Sequence, residues 1–145
     1  MILSRAALLF LAALVSGCST TPPASAPAAE LLDTYWRPVE IDGAPVTSPP
    51  GTREPHLLLS KDIRRVSGYA GCNNLTGSYT QDGPALHFGP MAVTRRACIG
   101  DGDALEAAFF KALHATASQH ITGKSLELRD SAGKTRMRLE ARDPR

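Results

Sequence analysis

The sequence predicts a small α+β domain, and three observations predict it. Short runs alternating apolar and polar residues recur along the chain, each closed by Gly, Pro, Asn or Asp, and read as strands. One stretch, from Asp103 onward, carries the spacing of an amphipathic helix. The 145 residues, less a leader and a polar stretch, match the size of one domain with one core.

The amino terminus is read apart from that domain. Arg5, the apolar run from Ala6 to Val15 and the small pair Ser16-Gly17 stand in the order of a secretory leader, assigned to residues 1–17. The run is too short to cross a bilayer, which takes about 20 apolar residues. Cys18 follows the two small residues, where a thiol can take a diacylglycerol group and become the first mature residue. That is the pattern of a bacterial lipoprotein, and it predicts a lipid bilayer as partner through acylated Cys18. Ser19, where an aspartate would signal retention at the inner membrane, resembles the outer-membrane-sorted type, so the expected place is the cell envelope, at the outer membrane facing the periplasm. Several acyl chains on one cysteine anchor durably where one would be marginal. Residues 18–30 are almost wholly Ser, Thr, Pro and Ala, and Pro22, Pro23 and Pro27 bias them toward an extended, hydrated tether. The folded part is placed at 31–142.

Of three cysteines, Cys72 and Cys98 remain for the domain. Outside the inner membrane the milieu oxidises, which favours a disulfide between them. Closing that loop would stabilise the fold by about 3.5 kcal/mol in the chain-entropy account. The competing reading is a metal or nucleophile site built with His56, His87, His114 or His120. No C-x-x-C or H-x-x-x-H spacing supports it, and no metal or cofactor is expected.

Within the domain, Tyr35 to Ile41 reads as the first strand, stopped by Asp42-Gly43. Trp36, the sole tryptophan, is assigned to the core. Thr47 to Gly51 is a loop by composition. His56 to Ser60 and Arg65 to Ala70 read as the next strands. Gly71-Cys72-Asn73-Asn74 interrupts the pattern as a tight segment whose amides cap neighbouring groups. Gly77 to Thr80 resumes it, and Leu86-His87-Phe88 follows the Asp82-Gly83 turn. Gly89-Pro90 reads as a break before Met91 to Cys98. Asp103 with Glu106 resembles a capping box, and Leu105, Ala108, Phe109, Ala112 and Leu113 make one apolar stripe, so a helix is predicted over about Asp103 to Ala117. That stripe must pack on a sheet, with Phe109 and Leu113 in the core and Phe110 at its margin. Gln119 to Thr122, Ser125 to Arg129 and Thr135 to Ala141 close the chain, the last two as a hairpin over Asp130 to Lys134.

These residues together resemble a known family. A first strand bearing Trp36 is followed by V-S-G-Y-A-G-C-N-N-L-T-G-S-Y, which carries Gly71, Asn73, Gly77 and Tyr79. Then come M-A-V-T-R-R-A-C with Thr94, E-x-x-F-x-x-x-L of Glu106, Phe109 and Leu113, and a closing L-E-L-x-D-x-x-G. The combination is similar to the META domain of HslJ-like lipoproteins, over about Leu31 to Glu140. The resemblance implies a strongly bent antiparallel sheet or partly open barrel with one main helix packed against it. It also implies that Cys72 and Cys98 are bridged. It brings loose associations with heat response and antibiotic tolerance, and no established activity.

Charge and motifs restrict function further. A net charge of +2 gives no case for nucleic acid. Arg64-Arg65 and Arg95-Arg96 could touch anionic headgroups or lipopolysaccharide, but two-residue basic clusters read first as solvated strand edges. The chain has no G-x-S-x-G, H-E-x-x-H or G-x-x-x-x-G-K, and Glu127 and Glu140 fall at solvent-facing strand positions, so no catalytic residue is assigned. The expectation is a non-catalytic binding, assembly or stress-related module offering a groove or sheet edge to an envelope protein or a lipid. The alternative is a lipocalin-like binder of a small apolar ligand, its cavity lined by Trp36, Leu57, Leu59 and Phe109.

Overall fold

The computed structural model of the chain describes residues 27–48, 50–98 and 100–143. The leader at 1–17, Cys18 and all but the last four positions of the tether lie outside the described residues. The elements are β1 (Tyr35–Ile41), β2 (Ala44–Pro45), β3 (His56–Ser60), β4 (Arg65–Tyr69), β5 (Asn74–Asp82), β6 (Ala85–Val93), α1 (Gly102–Ala115), β7 (Ser118–Thr122), β8 (Ser125–Arg129) and β9 (Thr135–Arg142).

All pairings are antiparallel, and the sheet runs β2-β1-β3-β4-β5-β6-β7-β8-β9 with β9 returning to β1. The result is a near-ring rather than a regular barrel, because two joints are thin. Among the described residues β1 meets β3 only at Trp36 and Leu57, and β6 meets β7 only at Ala85 and Ser118. Irregular chain closes each joint, as buried backbone groups require. At the first, the Asp33 N–H donates to the Leu59 carbonyl at 2.8 Å, the Asp33 carboxylate accepts from the Lys61 N–H, and the Trp36 indole donates to the Leu31 carbonyl at 2.9 Å. At the second, Leu86 N–H reaches Ala117 O at 3.1 Å and Gln119 N–H reaches Pro84 O at 2.9 Å.

Alternation delivers one side of each strand to a single interior. Leu57 and Leu59 of β3, Val66 of β4, Leu126 and Leu128 of β8 and Met137 and Leu139 of β9 are fully buried with Trp36. α1 packs on β1, β6, β8 and β9 and adds Phe109, Ala112 and Leu113. Phe110 is partly buried at the edge of this core, as its position off the stripe predicts. Tyr79 is also interior, its hydroxyl donating to the Ser60 carbonyl at 2.8 Å, and burial pushes its pKa up.

Four local expectations change. The helix starts one residue before Asp103 and ends at Ala115, where Thr116 turns extended and its hydroxyl donates to Ala112 O at 2.9 Å. The capping box does not form, since Asp101 is the N-cap, makes no side-chain cap bond, and Glu106 is drawn to a tertiary partner. Gly89-Pro90 is a bulge inside β6 rather than a break. Gly77 pairs with Met91 and Tyr79 with Phe88, so Ser78 alone faces Gly89 and Pro90. A Cβ on Gly89 would lie 2.4 Å from the Ser78 hydroxyl oxygen, so a side chain there requires that hydroxyl to turn aside. Glu127 is only 21 % exposed rather than solvent-facing, because Arg129 and Arg138 both bond it. Those two guanidiniums hold its carboxyl below the usual range.

Candidate functional site

The turn between β4 and β5 organises the surface where the sequence motifs converge. Ala70 N–H donates to Asn73 O at 3.0 Å, closing the turn, and Gly71 takes a φ of 103° that favours glycine. The side chain of Leu105 from α1 occupies the space beside it, where a Cβ on Gly71 would meet Cδ2 at 2.6 Å. Tyr69 steadies the turn by donating its hydroxyl to the Gly71 carbonyl at 2.9 Å.

Asn73, only 4 % exposed, is the hub of this region. Its N–H donates to Glu106 Oε2 at 2.8 Å and its amide nitrogen to Oε1 at 3.2 Å. Its amide oxygen accepts from the Thr94 hydroxyl at 3.0 Å and from the Arg96 N–H at 2.7 Å. Thr94 Oγ1 in turn accepts the Asn74 N–H at 3.1 Å. Cys72 and Cys98 are bridged, with Cα atoms 5.5 Å apart. The first turn of α1 sits against that bridge. A Cβ on Gly102 would stand 3.3 Å from the Cβ of Cys98 and 3.5 Å from that of Cys72.

The structure thus brings Gly71, Cys72, Asn73, Thr94, Cys98 and Glu106 into one brace joining the β4–β5 turn, the β6–α1 connection and the helix. Both Glu106 oxygens and every polar atom of Asn73 are engaged, so the brace holds geometry. Trp36, Tyr79, Phe109 and Leu113 lie in the core instead, and Gly77 faces Met91 beside the β6 bulge. Cys18 lies outside the described residues. The sulfurs of Cys72 and Cys98 and the Asp103 carboxylate fall within 4.8 Å of one another, but the sulfurs are spent on each other and offer no thiolate. His56, His87, His114 and His120 are not part of that group.

Beside the bridge opens a groove of about 710 Å³. Val46, Pro55, Tyr69 and Leu105 line it with Arg53, Arg96, the two cysteines and Asp101. The side chains of Arg95 and Arg96 make no ion pair among the described residues. Sequence reasoning missed Arg53 and the stack it belongs to. Its guanidinium lies 4.5 Å over the Tyr69 ring and donates to Asn74 Oδ1 at 2.6 Å. His56 packs between Tyr69 and Tyr35, with ring centroids 6.4 and 4.6 Å away. Burial pushes the His56 pKa down, against a hydrogen bond from Nδ1 to the Glu54 carbonyl at 3.1 Å that favours the charged form. Burial, and then the Glu54 charge, pushes the Tyr35 hydroxyl up. No local pattern marks this stack, because its members come from three strands and the loop before β3. Tyr35 also lines a second open concavity, of about 700 Å³, where the tether root enters and Ala29 N–H donates to Gly123 O at 2.7 Å.

The family model described as META domain matches residues 29–143. A protein from Burkholderia xenovorans solved by NMR is similar over 90 % of this chain and 100 % of its own, at 25 % identity and a TM-score of 0.65. A second NMR structure is similar over 76 % of this chain and 90 % of its own, at 22 % identity and a TM-score of 0.60, and speaks to the fold alone. No curated protein matches the chain.

Proposed function

The chain belongs to the META domain family, and on that premise we propose that it is a non-catalytic binding module of the bacterial cell envelope, lipid-anchored through Cys18 at the outer membrane and facing the periplasm. The leader, the lipidation position and the proline-bearing tether support the anchor. The Cys72–Cys98 bridge is the pairing that an oxidising compartment favours.

One observation carries the binding reading: the interior is filled while the surface beside the bridge is hollow. Trp36, Leu57, Leu59 and Phe109, which would line a lipocalin-like cavity, have no exposed surface and border neither concavity. The groove instead combines apolar walls with cations at Arg53 and Arg96, and Arg96 lacks any ion pair among the described residues. The occupant it fits is an extended segment of an envelope protein carrying carboxylates.

A photo-crosslinking residue placed at Val46, with one at Asp82 as control, tests this in intact cells. A partner trapped from Val46 alone, whose purified form binds the protein and loses at least tenfold in affinity to Arg53→Glu with Arg96→Glu, is the expected result. Equal trapping from both positions, or unchanged affinity, overturns the groove reading. The anchor is tested separately with Cys18→Ala, which is expected to leave the membrane fraction; retention there overturns it.

A further inference from the structure

We propose that the Cys72–Cys98 bridge is a reducible latch that holds the β6–α1 connection in place as one wall of the groove. Thr94 and Arg96 begin that connection with hydrogen bonds to Asn73 and Asn74. Beyond Arg96 and before the helix, the bridge is its one covalent tie to the β4–β5 turn among the described residues, joined only by a long contact of 3.9 Å from the Asn73 amide nitrogen to Cys98 Sγ. Arg95, Arg96, Ala97, Gly100 and Asp101 are exposed, and both cysteines face the groove, where a soluble thiol can reach them. The core does not depend on this tie. Phe109 and Leu113 stay buried, and Glu106 holds the helix to Asn73 without the sulfurs.

The reductant is a dithiol. One of its thiolates attacks a bridge sulfur, breaking the protein S–S bond and forming a mixed disulfide while the other cysteine leaves as thiolate. Its second thiol then closes on the first, so the reagent ends as a disulfide and the protein as two thiols. The wall formed by Ala97, Cys98, Gly100 and Asp101 is then untied, while Arg96 keeps its backbone bond to Asn73 at the edge of the opened groove. Loss of binding on opening rests on the groove reading above; the latch itself is read without any partner.

The experiment uses protein purified from membranes in detergent, either oxidised or reduced with a dithiol, alkylated and freed of reagent. Trypsin then probes Arg95 and Arg96, while the fluorescence of Trp36, the sole tryptophan, reports the core. The expected result is cleavage at these two arginines at least about tenfold faster after reduction, with Trp36 emission unchanged, as local opening requires. Cys72→Ser with Cys98→Ser must reproduce it without alkylation. Equal cleavage rates overturn the latch. So does a Trp36 shift accompanying cleavage, which would make the bridge a staple of the whole domain. A failure of the crosslinking test leaves these readouts untouched.

Discussion

Glu106 of α1 grips Asn73 with both carboxylate oxygens, accepting the backbone N–H at 2.8 Å and the side-chain amide at 3.2 Å across 33 positions of sequence. Because Asn73 is buried, removing the carboxylate strands two donors. Glu106→Ala is therefore expected to cost about 1–3 kcal/mol. Glu106→Gln, which keeps one acceptor but turns a donor toward Asn73, should fall between alanine and the parent. Urea unfolding of the three proteins measures the series, and an alanine variant as stable as the parent would remove the brace from the account of the fold.

The bridge and the hydrogen bonds of Asn73 hold the same turn, yet they act on different states. A disulfide chiefly restricts the unfolded chain, and for cysteines 26 positions apart its loss is expected to lower stability by about 3.5 kcal/mol. Cys72→Ser with Cys98→Ser should show this as a lower urea midpoint. In the double-serine background the cost of Glu106→Ala should differ from its cost in the parent, because the Asn73 amide nitrogen bonds both Glu106 and the two sulfurs.

Much of this architecture is legible in residue order. Alternation and turn residues locate β1, β3, β8 and β9, since a strand with one buried face must alternate, and the stripe through Phe109 and Leu113 locates the helix. What stays hidden depends on residues distant in sequence. Glu106 has the spacing of a capping residue, and only the fold shows that Asn73 is its partner. Gly89-Pro90 has the composition of a break, and only pairing with Ser78 makes it a bulge. Tyr35, His56 and Tyr69 carry no shared pattern, because the turn of the sheet at the thin β1–β3 joint sets their stacking. The motif through Gly71, Asn73 and Thr94 could be picked out by resemblance, while its role as a brace could not.

The helix stripe has a direct test in two adjacent phenylalanines. Phe109 is fully buried, whereas Phe110 is only partly so. Phe109→Ala is expected to cost about 3–5 kcal/mol. Phe110→Ala should cost clearly less, and unfolding curves that reverse this order would put the helix on the wrong face.

The β6 bulge predicts a rescue. Gly89→Ala brings a methyl group to 2.4 Å from the Ser78 hydroxyl oxygen, which must rotate away, and is expected to destabilise by up to about 1 kcal/mol. Ser78→Ala removes the obstructing oxygen, and the Ser78 Cβ lies 3.7 Å away, an ordinary contact. The double variant should therefore recover most of the loss. If it does not, Gly89 is required for its backbone rather than for space.

His56 sets the pH response near neutrality. Its pKa is lowered by burial, so the folded protein prefers the neutral ring and the unfolded chain takes up the proton first as pH falls. Its contribution is whole above the ordinary histidine pKa of about 6.5, declines as pH falls through that value, and levels off below the folded pKa. Glu127, whose pKa is also lowered, acts in the same direction but only in the carboxylate range, as its bonds to Arg129 and Arg138 are lost on protonation. The two windows separate the groups. The urea midpoint should drop between pH 7.5 and 5.5, and His56→Gln, which stays neutral, should flatten that decline while leaving the steeper fall at more acid pH. An unchanged slope in His56→Gln would assign the decline to a different group and leave the Tyr35–His56–Tyr69 stack without a part in it.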